Sequence, residues 1–438
     1  MKEYKLISLF SGAGGMDKGF QLAGFDILWA NDFNLDATIT YKNNIGDHIV
    51  HGDICSIESS QIRKNPHSEF KKEYIIDENN LDVVIGGFPC QGFSIANTKR
   101  SMEDERNFLY KEMLRVIKDK KPKIFVAENV KGILSMQKGK VIEMIKKDFE
   151  SLGYKVDIKL LNAAEYGIPQ ARERVIIMGN RIGVKNKFPI KTHRNTQIEM
   201  QECAVEILQK NTYLNYNIVD NPKPFEATER AIGFLQNVKL TNNEISVYDG
   251  IENRKIYNHI AYENVSDKFW ARKYSVNQAD ICDYLKEWRN KSGWSTKKID
   301  EHFGYKHTAG HWFRKDNKSG SIPKPDDWWE LKKILGFDDK YDKQVTEFEE
   351  KKIVFEQSLR ITNWDRPSDT ITATSPEIHI NKMRRLSVRE CAILQTFPDD
   401  FIFYGSLNSM HRQVGNAVPV ELAKKIGECV IEMLKEQS

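Results

Sequence analysis

One stretch constrains this chain more than any other: Leu81–Ser94, Leu-Asp-Val-Val-Ile-Gly-Gly-Phe-Pro-Cys-Gln-Gly-Phe-Ser. Leu81 to Ile85 is short, apolar and β-branched, which reads as a strand buried on both faces. Gly86 and Gly87 end it, because glycine lets the backbone turn sharply and other groups approach closely. Pro89 fixes its own φ and biases Phe88 towards extended backbone, so Cys90 is presented on a stiffened loop. A residue just past the C-terminal end of a parallel strand stands where open α/β sheets place their ligands. An unplaced cysteine is most often a buried structural thiol, but that reading leaves the Gly-Gly, the proline and the polar Gln91 and Ser94 unexplained. The alternative is a nucleophile. Only a small fraction of an ordinary thiol is thiolate at neutral pH, yet that fraction attacks strongly.

The rest of the first half repeats the arrangement of strand, loop and helix. Lys5 to Phe10 reads as a strand, followed at once by Ser11-Gly12-Ala13-Gly14-Gly15-Met16-Asp17, a loop whose amides could meet a ligand at a helix start or form a plain tight turn. It is not a dinucleotide fingerprint, because Asp17 occupies the place of the third glycine. A second strand, Asp26 to Ala30, ends at Asn31-Asp32, where a carboxylate either holds a ribose diol or caps a turn. Lys123 to Ala127 is another buried strand and ends in Glu128-Asn129. Val141 to Leu152 has helical periodicity closed by Gly153. Gln170-Ala171-Arg172-Glu173-Arg174 leads into the strand Val175 to Met178, and spacing of i and i+2 on a strand aims both arginines to one face. The pattern predicts an α/β fold.

Pro89-Cys90-Gln91, Glu128-Asn129-Val130, the arginine pair and Gln413-Val414-Gly415-Asn416-Ala417-Val418 together resemble the DNA cytosine-5 methyltransferases. The resemblance covers residues 1–190 and 355–438. It implies a Rossmann-like mixed sheet of the S-adenosylmethionine-dependent methyltransferase kind, with a smaller target recognition domain. It also implies chemistry: the Cys90 thiolate adds to C6 of a flipped cytosine, and a methyl group passes from S-adenosylmethionine to C5. Glu128 would hydrogen-bond N3, Arg172 would hold O2, and Arg174 would support it or pair with Glu128. Phe10, Gly12, Gly14, Asp32, Asp53, Ile54, Pro89, Leu109, Asn416 and Val418 would line the cofactor pocket. Gln91 and Ser94 would touch DNA. The segment 58–80 is polar, and the resemblance assigns it no role.

The resemblance divides the chain into 1–188 (catalysis and cofactor), 189–380 (target recognition), 381–410 (a hinge) and 411–438, which returns to the first domain. Within the middle third, residues 272–340 read on their own as helices: Ile281, Leu285 and Trp288 share one face, Ser295 caps a second helix ended by Gly304, and Pro325 leads a later one. The order resembles a helix-turn-helix, in which Lys306, His307, Thr308 and His311 would face base edges and Arg314 and Lys315 would meet phosphates. An insertion that merely packs is the equal alternative.

Composition excludes more than it selects. A net charge of +4 over 438 residues is compatible with nucleic acid and diagnostic of nothing. The six cysteines (Cys55, Cys90, Cys203, Cys282, Cys391 and Cys429) are scattered without a Cys-x-x-Cys pair, against a zinc site or disulfide framework and for a reducing, cytoplasmic setting. No apolar run approaches a membrane span. The expected partner is double-stranded DNA, with a cognate restriction endonuclease if the chain serves restriction–modification and none if it is a solitary or phage enzyme, and a monomer is the default. Two rivals stay open, methylation of transfer RNA and a DNA-binding regulator on a dead methyltransferase scaffold.

Overall fold

The computed structural model describes residues 3–89, 109–195, 218–240, 247–249, 255–262, 278–304, 312–313, 322–346, 360–374, 376–381 and 383–437. Cys90, Gln91, Ser94, Lys306, His307, Thr308, His311, Arg314 and Lys315 lie outside them.

Seven strands form one sheet: β1 (Tyr4–Leu9), β2 (Phe25–Asp32), β3 (Ile49–His51), β4 (Val83–Gly86), β5 (Ile124–Val130), β6 (Lys155–Asn162) and β7 (Glu173–Asn180). Their order is β3-β2-β1-β4-β5-β7-β6. The first five are parallel to one another, whereas β7 runs antiparallel to both β5 and β6. Only a short connection separates β6 from β7, too little chain for the crossover that a parallel pairing needs. The sheet is therefore mixed, as expected.

Adjacent residues on the central strands point to opposite faces, and both faces are covered. Ile7, Val84 and Phe125 pack on one side with helices α3 (Leu109–Lys120) and α4 (Lys140–Glu150), through Met113, Val116, Ile117, Ile142, Ile145 and Phe149. Leu6, Val83 and Val126 pack on the other with α1 (Gly15–Ala23) and the last helix, Val420–Glu436. That last helix supplies Leu422, Ile426, Val430 and Met433 to a core begun by residues 4–27. The sheet-bearing unit is thus built from both ends of the chain.

Contacts divide the chain into Met1–Val265 with Gln357–Ser438, and Ser266–Glu356. The described residues of 189–265 and 357–380, which the sequence reading groups with the recognition region, fall in the sheet-bearing unit. The smaller unit has a core of its own, with Ile281, Leu285, Ile299, Trp312, Trp328 and Leu331 buried. Its second helix, Thr296–Phe303, is capped by the Ser295 side chain and ends at Gly304 in a left-handed conformation, φ 67°.

Helix α1 and the last helix approach each other closely. A Cβ on Gly19 would stand 2.5 Å from both Ala423 Cβ and the Val420 carbonyl. Alanine normally gains about 1 kcal/mol over glycine inside a helix, but contacts this short, on a carbonyl and on a methyl that has no rotamers, cannot be relieved by a rotamer change. Gly19→Ala is therefore expected to lose about 1–3 kcal/mol of stability, read as a lower urea midpoint at unchanged slope.

Candidate active site

The loop after β1 is built from left-handed backbone. Phe10 and Gly12 both have φ 56° and Gly14 has φ 89°. Gly14 must be glycine for a second reason, since a Cβ there would meet Ile45 and Tyr41 at 2.2 and 2.8 Å. Gly12 differs, because a Cβ there would meet nothing within 4 Å, so the loop borders open space. Asp32, at the end of β2, accepts from the Gly12 amide (2.8 Å) through Oδ2 and from the Asn34 amide (2.8 Å) through Oδ1. Burial raises its pKa, opposed by those two amides. The Val418 carbonyl lies 2.6 Å from where a Gly15 Cβ would be, so the C-terminal return segment reaches this loop.

Other expected cofactor residues fall nearby with different exposures. Asp53 is exposed and caps a single turn by accepting from the Cys55 amide. Ile54 is 3% exposed and belongs to the core, so it is a floor rather than an open wall. Leu109 is partly buried at the start of α3, Pro89 is partly buried, and Asn416 is exposed at the end of the helix Leu407–Asn416. Phe33 was not singled out from sequence. It is 72% exposed, beside Asp32, with its carbonyl 3.0 Å from His51 Nε2. The available signal was an aromatic directly after a strand-end carboxylate.

Glu128 and Arg174 form the centre of the second cluster. In the β5–β7 register Glu128 is opposite Ile176 and Val130 opposite Arg174, so acid and arginine are diagonal neighbours on one face. Both are buried, and Arg174 Nε is 2.7 Å from Glu128 Oε1. The pair is close, but the N–H is not aligned along the contact, which leaves Nε without a well-formed hydrogen bond. Burial lowers the Arg174 pKa, opposed by the Glu128 charge. Gly87, in the turn after β4, leaves room for this acid: a Cβ would stand 2.9 Å from Glu128 Oε2. Asn129 Nδ2 donates to the Phe88 carbonyl (3.0 Å), linking the end of β5 to the turn that leads to Cys90.

Arg172 requires a correction. The i, i+2 argument assumed a strand through 172, but β7 starts at Glu173 and residues 168–172 turn, with Gln170 N donating to Ile168 O and Arg172 N to Gln170 O. The Arg172 side chain is fully buried, and its hydrogen bonds go to main-chain carbonyls rather than to Glu128. Its Nη1 donates to Ile371 O (2.8 Å) and its Nη2 to Gly415 O (2.7 Å). Burial, with the like charge of Arg174, pushes its guanidinium well below the ordinary range. Gln170, also missed from sequence, is fully buried and makes a parallel clasp, with Oε1 accepting from Ile371 N and Nε2 donating to Leu394 O.

A mixed sheet carrying a glycine loop, a strand-end carboxylate and an exposed aromatic at one end of its parallel strands, with a buried acid–arginine pair on β5 and β7, defines a nucleotide-cofactor enzyme of the methyltransferase class. The model of the C-5 cytosine-specific DNA methylases matches residues 4–432, and the chain belongs to that family. It is 33% identical over 432 residues to the Type II methyltransferase M.NgoFVII of Neisseria gonorrhoeae, covering 96% of this chain and 86% of that one. It is 30% identical over 431 residues to the Type II methyltransferase M1.HphI of Haemophilus parahaemolyticus, covering 98% and 86%. Among solved structures, the Dnmt2 methyltransferase of S. pombe superposes with a TM-score of 0.51 at 15% identity, covering 99% of each chain, a likeness of fold. The family's methyl donor is S-adenosylmethionine. The open space at Gly12 and the exposed Phe33 fit such a group.

Asp17, behind the glycine loop, accepts from Tyr41 Oη at 2.9 Å, has a buried Oδ2 without a partner, and is pushed up to about 7 by burial. The folded chain thus keeps a proton that the unfolded chain releases above an ordinary value of 3.8. Stability falls as pH rises through that window and is level above it. Asp17→Asn has no such titration. Its unfolding free energy relative to the parent should rise by a few kcal/mol between pH about 4 and about 7, in denaturant melts at each pH.

Proposed function

We propose that this chain is the sequence-specific methyltransferase of a Type II restriction–modification system, working in the cytoplasm as a monomer beside a cognate endonuclease. Its relatives' names and the absence, among the described residues, of a helix long and apolar enough to cross a membrane support this reading. The observation that carries the chemistry is the buried Glu128–Arg174 pair at the sheet edge where β4 turns towards Cys90.

In this reading the Cys90 thiolate adds to C6 of a cytosine turned out of the duplex, at an unstacking cost of a few kcal/mol. Attack pushes electrons towards N3, where the Glu128 carboxyl supplies a hydrogen bond. Arg174, not Arg172, is the cation facing the ring. It stands beside Glu128, whereas both Arg172 amino groups are occupied by main-chain carbonyls. Arg172 holds the surrounding segments instead. S-adenosylmethionine, when bound, supplies an electrophilic methyl group. Gly12 borders the space for its amino-acid end while Gly14 lets the same loop pack on Ile45 and Tyr41, Asp32 accepts from the ribose, Phe33 offers a ring face to the adenine, and Asp53 meets its edge. The helical unit, with Gly304 and Trp312 bracketing the segment that contains Lys306, His307, Thr308 and His311, reads bases. Arg314 and Lys315 meet phosphates, which position without specifying.

Glu128→Gln keeps the shape and removes the acid. Its single-turnover methylation rate is expected to fall about 10²–10⁴-fold, with cofactor binding unchanged. Genomic 5-methylcytosine, mapped in a methylation-free host, should fall in one short motif, vanish with Cys90→Ala, and lose sequence fidelity when His307 and Thr308 are replaced by alanine. An unmethylated genome with soluble folded protein would overturn the DNA reading. An unchanged motif in the double variant would remove the helical unit from recognition.

A further inference from the structure

The 58–80 segment, to which the family resemblance gives no role, is fastened to α3 by side chains that the reaction does not use. The Lys120 ammonium is buried and ties its two ends together, donating to the carbonyls of Ile62 (3.0 Å) and Ile76 (2.9 Å). At its near end stands Arg115. Its Nη2 donates to Ile54 O (3.1 Å) and Ile57 O (2.9 Å), its Nη1 to Ser59 Oγ (2.9 Å), and its Nε to Glu112 Oε2 (2.8 Å). Ser59 in turn donates to Asp119. A bonded guanidinium is planar and cannot release one of these partners without turning away from the others.

What Arg115 holds is the turn directly after Asp53. That turn is only three residues long, Ile54–Ser56, and its start is defined by Asp53 accepting from the Cys55 amide. Asp53 itself is exposed, and on its other side Gly52 donates to the Asp32 carbonyl. Asp53 is thus hung between the sheet edge and α3. The same helix touches the other half of the site, since the Tyr110 ring lies 6.1 Å from the ring of Phe88, whose carbonyl accepts from Asn129.

We propose that Arg115 is a positioning residue for the methyl donor, holding the Ile54–Ile57 backbone so that Asp53 is set for the adenine before the cofactor arrives. This rests on the reading of Asp53 as the adenine end of the pocket. The physical consequence is a preorganisation effect. Without the guanidinium the turn samples other arrangements, and ordering it again is charged against cofactor binding. Lys120 braces the same segment farther along the chain and does not hold the Asp53 turn.

The test is cofactor affinity of the full chain without DNA, by calorimetric titration of S-adenosylhomocysteine, alongside urea unfolding. Arg115→Gln is expected to weaken binding about tenfold, roughly 1.4 kcal/mol, with Arg115→Lys recovering part of it. In turnover the loss should appear as a raised KM for S-adenosylmethionine rather than a lowered kcat. Lys120→Met should lower the urea midpoint and leave affinity as it was. If Arg115→Gln binds the cofactor as tightly as the parent, or if Lys120→Met weakens binding equally, Arg115 is only a brace and the proposal falls. Asp53→Ala separates the two readings. Weakened binding there with unchanged binding in Arg115→Gln sinks the positioning role alone, whereas unchanged binding in Asp53→Ala sinks the adenine assignment and the proposal with it.

Discussion

A cation with no access to water holds the larger unit together. The Arg172 guanidinium is fully buried, and it is tolerable there because two main-chain carbonyls, Ile371 O and Gly415 O, accept from it while Glu128 offsets its charge together with that of Arg174. Those carbonyls belong to segments some two hundred residues away in sequence, one entering from the middle of the chain and one from its end. Gln170 repeats the clasp on Ile371 and Leu394, and Gln395 extends it by donating to Val414 and Ala417. Burying an unpaired charge costs several kcal/mol, so these segments are held by the penalty of leaving the arginine without them.

The geometry of the reaction centre follows from that clasp and from the sheet. Because β7 runs antiparallel between β5 and β6, its first residues arrive at the same edge where β5 ends. Arg174 then meets Glu128 across a diagonal, and Gly87 at the end of the neighbouring strand keeps the space beside the acid clear. The C-terminal return brings Val418 against the glycine loop and the last helix against α1. Both halves of the pocket therefore depend on contacts between the two ends of the chain.

Much of this was legible beforehand, and the reasons are local. Strands such as Val83–Gly86 and Ile124–Val130 announce themselves because burial on both faces leaves an unbroken apolar run. The helix Val388–Leu394 announces itself by Ser387 and Glu390, which form the reciprocal capping box. The family motifs carried the acid, the glycine loop and Asp32 to their positions. Arg172 and Arg174 were not separable in this way. Both lie in one five-residue motif, and their difference rests on whether β7 begins at 172 or 173, the kind of boundary that sequence patterns leave loosest. Phe33 was overlooked because an exposed aromatic has no periodicity to betray it, and Arg115 because its partners are carbonyls of another segment.

By itself, then, the sequence determined the class of fold and the family, and it named the candidates for the reactive side chains, since each of these is written in short runs of neighbouring residues. The tertiary structure alone decided which arginine faces the acid, why the chain's last helix belongs to its first sheet, and what the 58–80 segment is fastened to. Those are matters of which donors find which acceptors across long sequence separations. A residue's identity states what it can bond to, and only the folded chain states what is within reach.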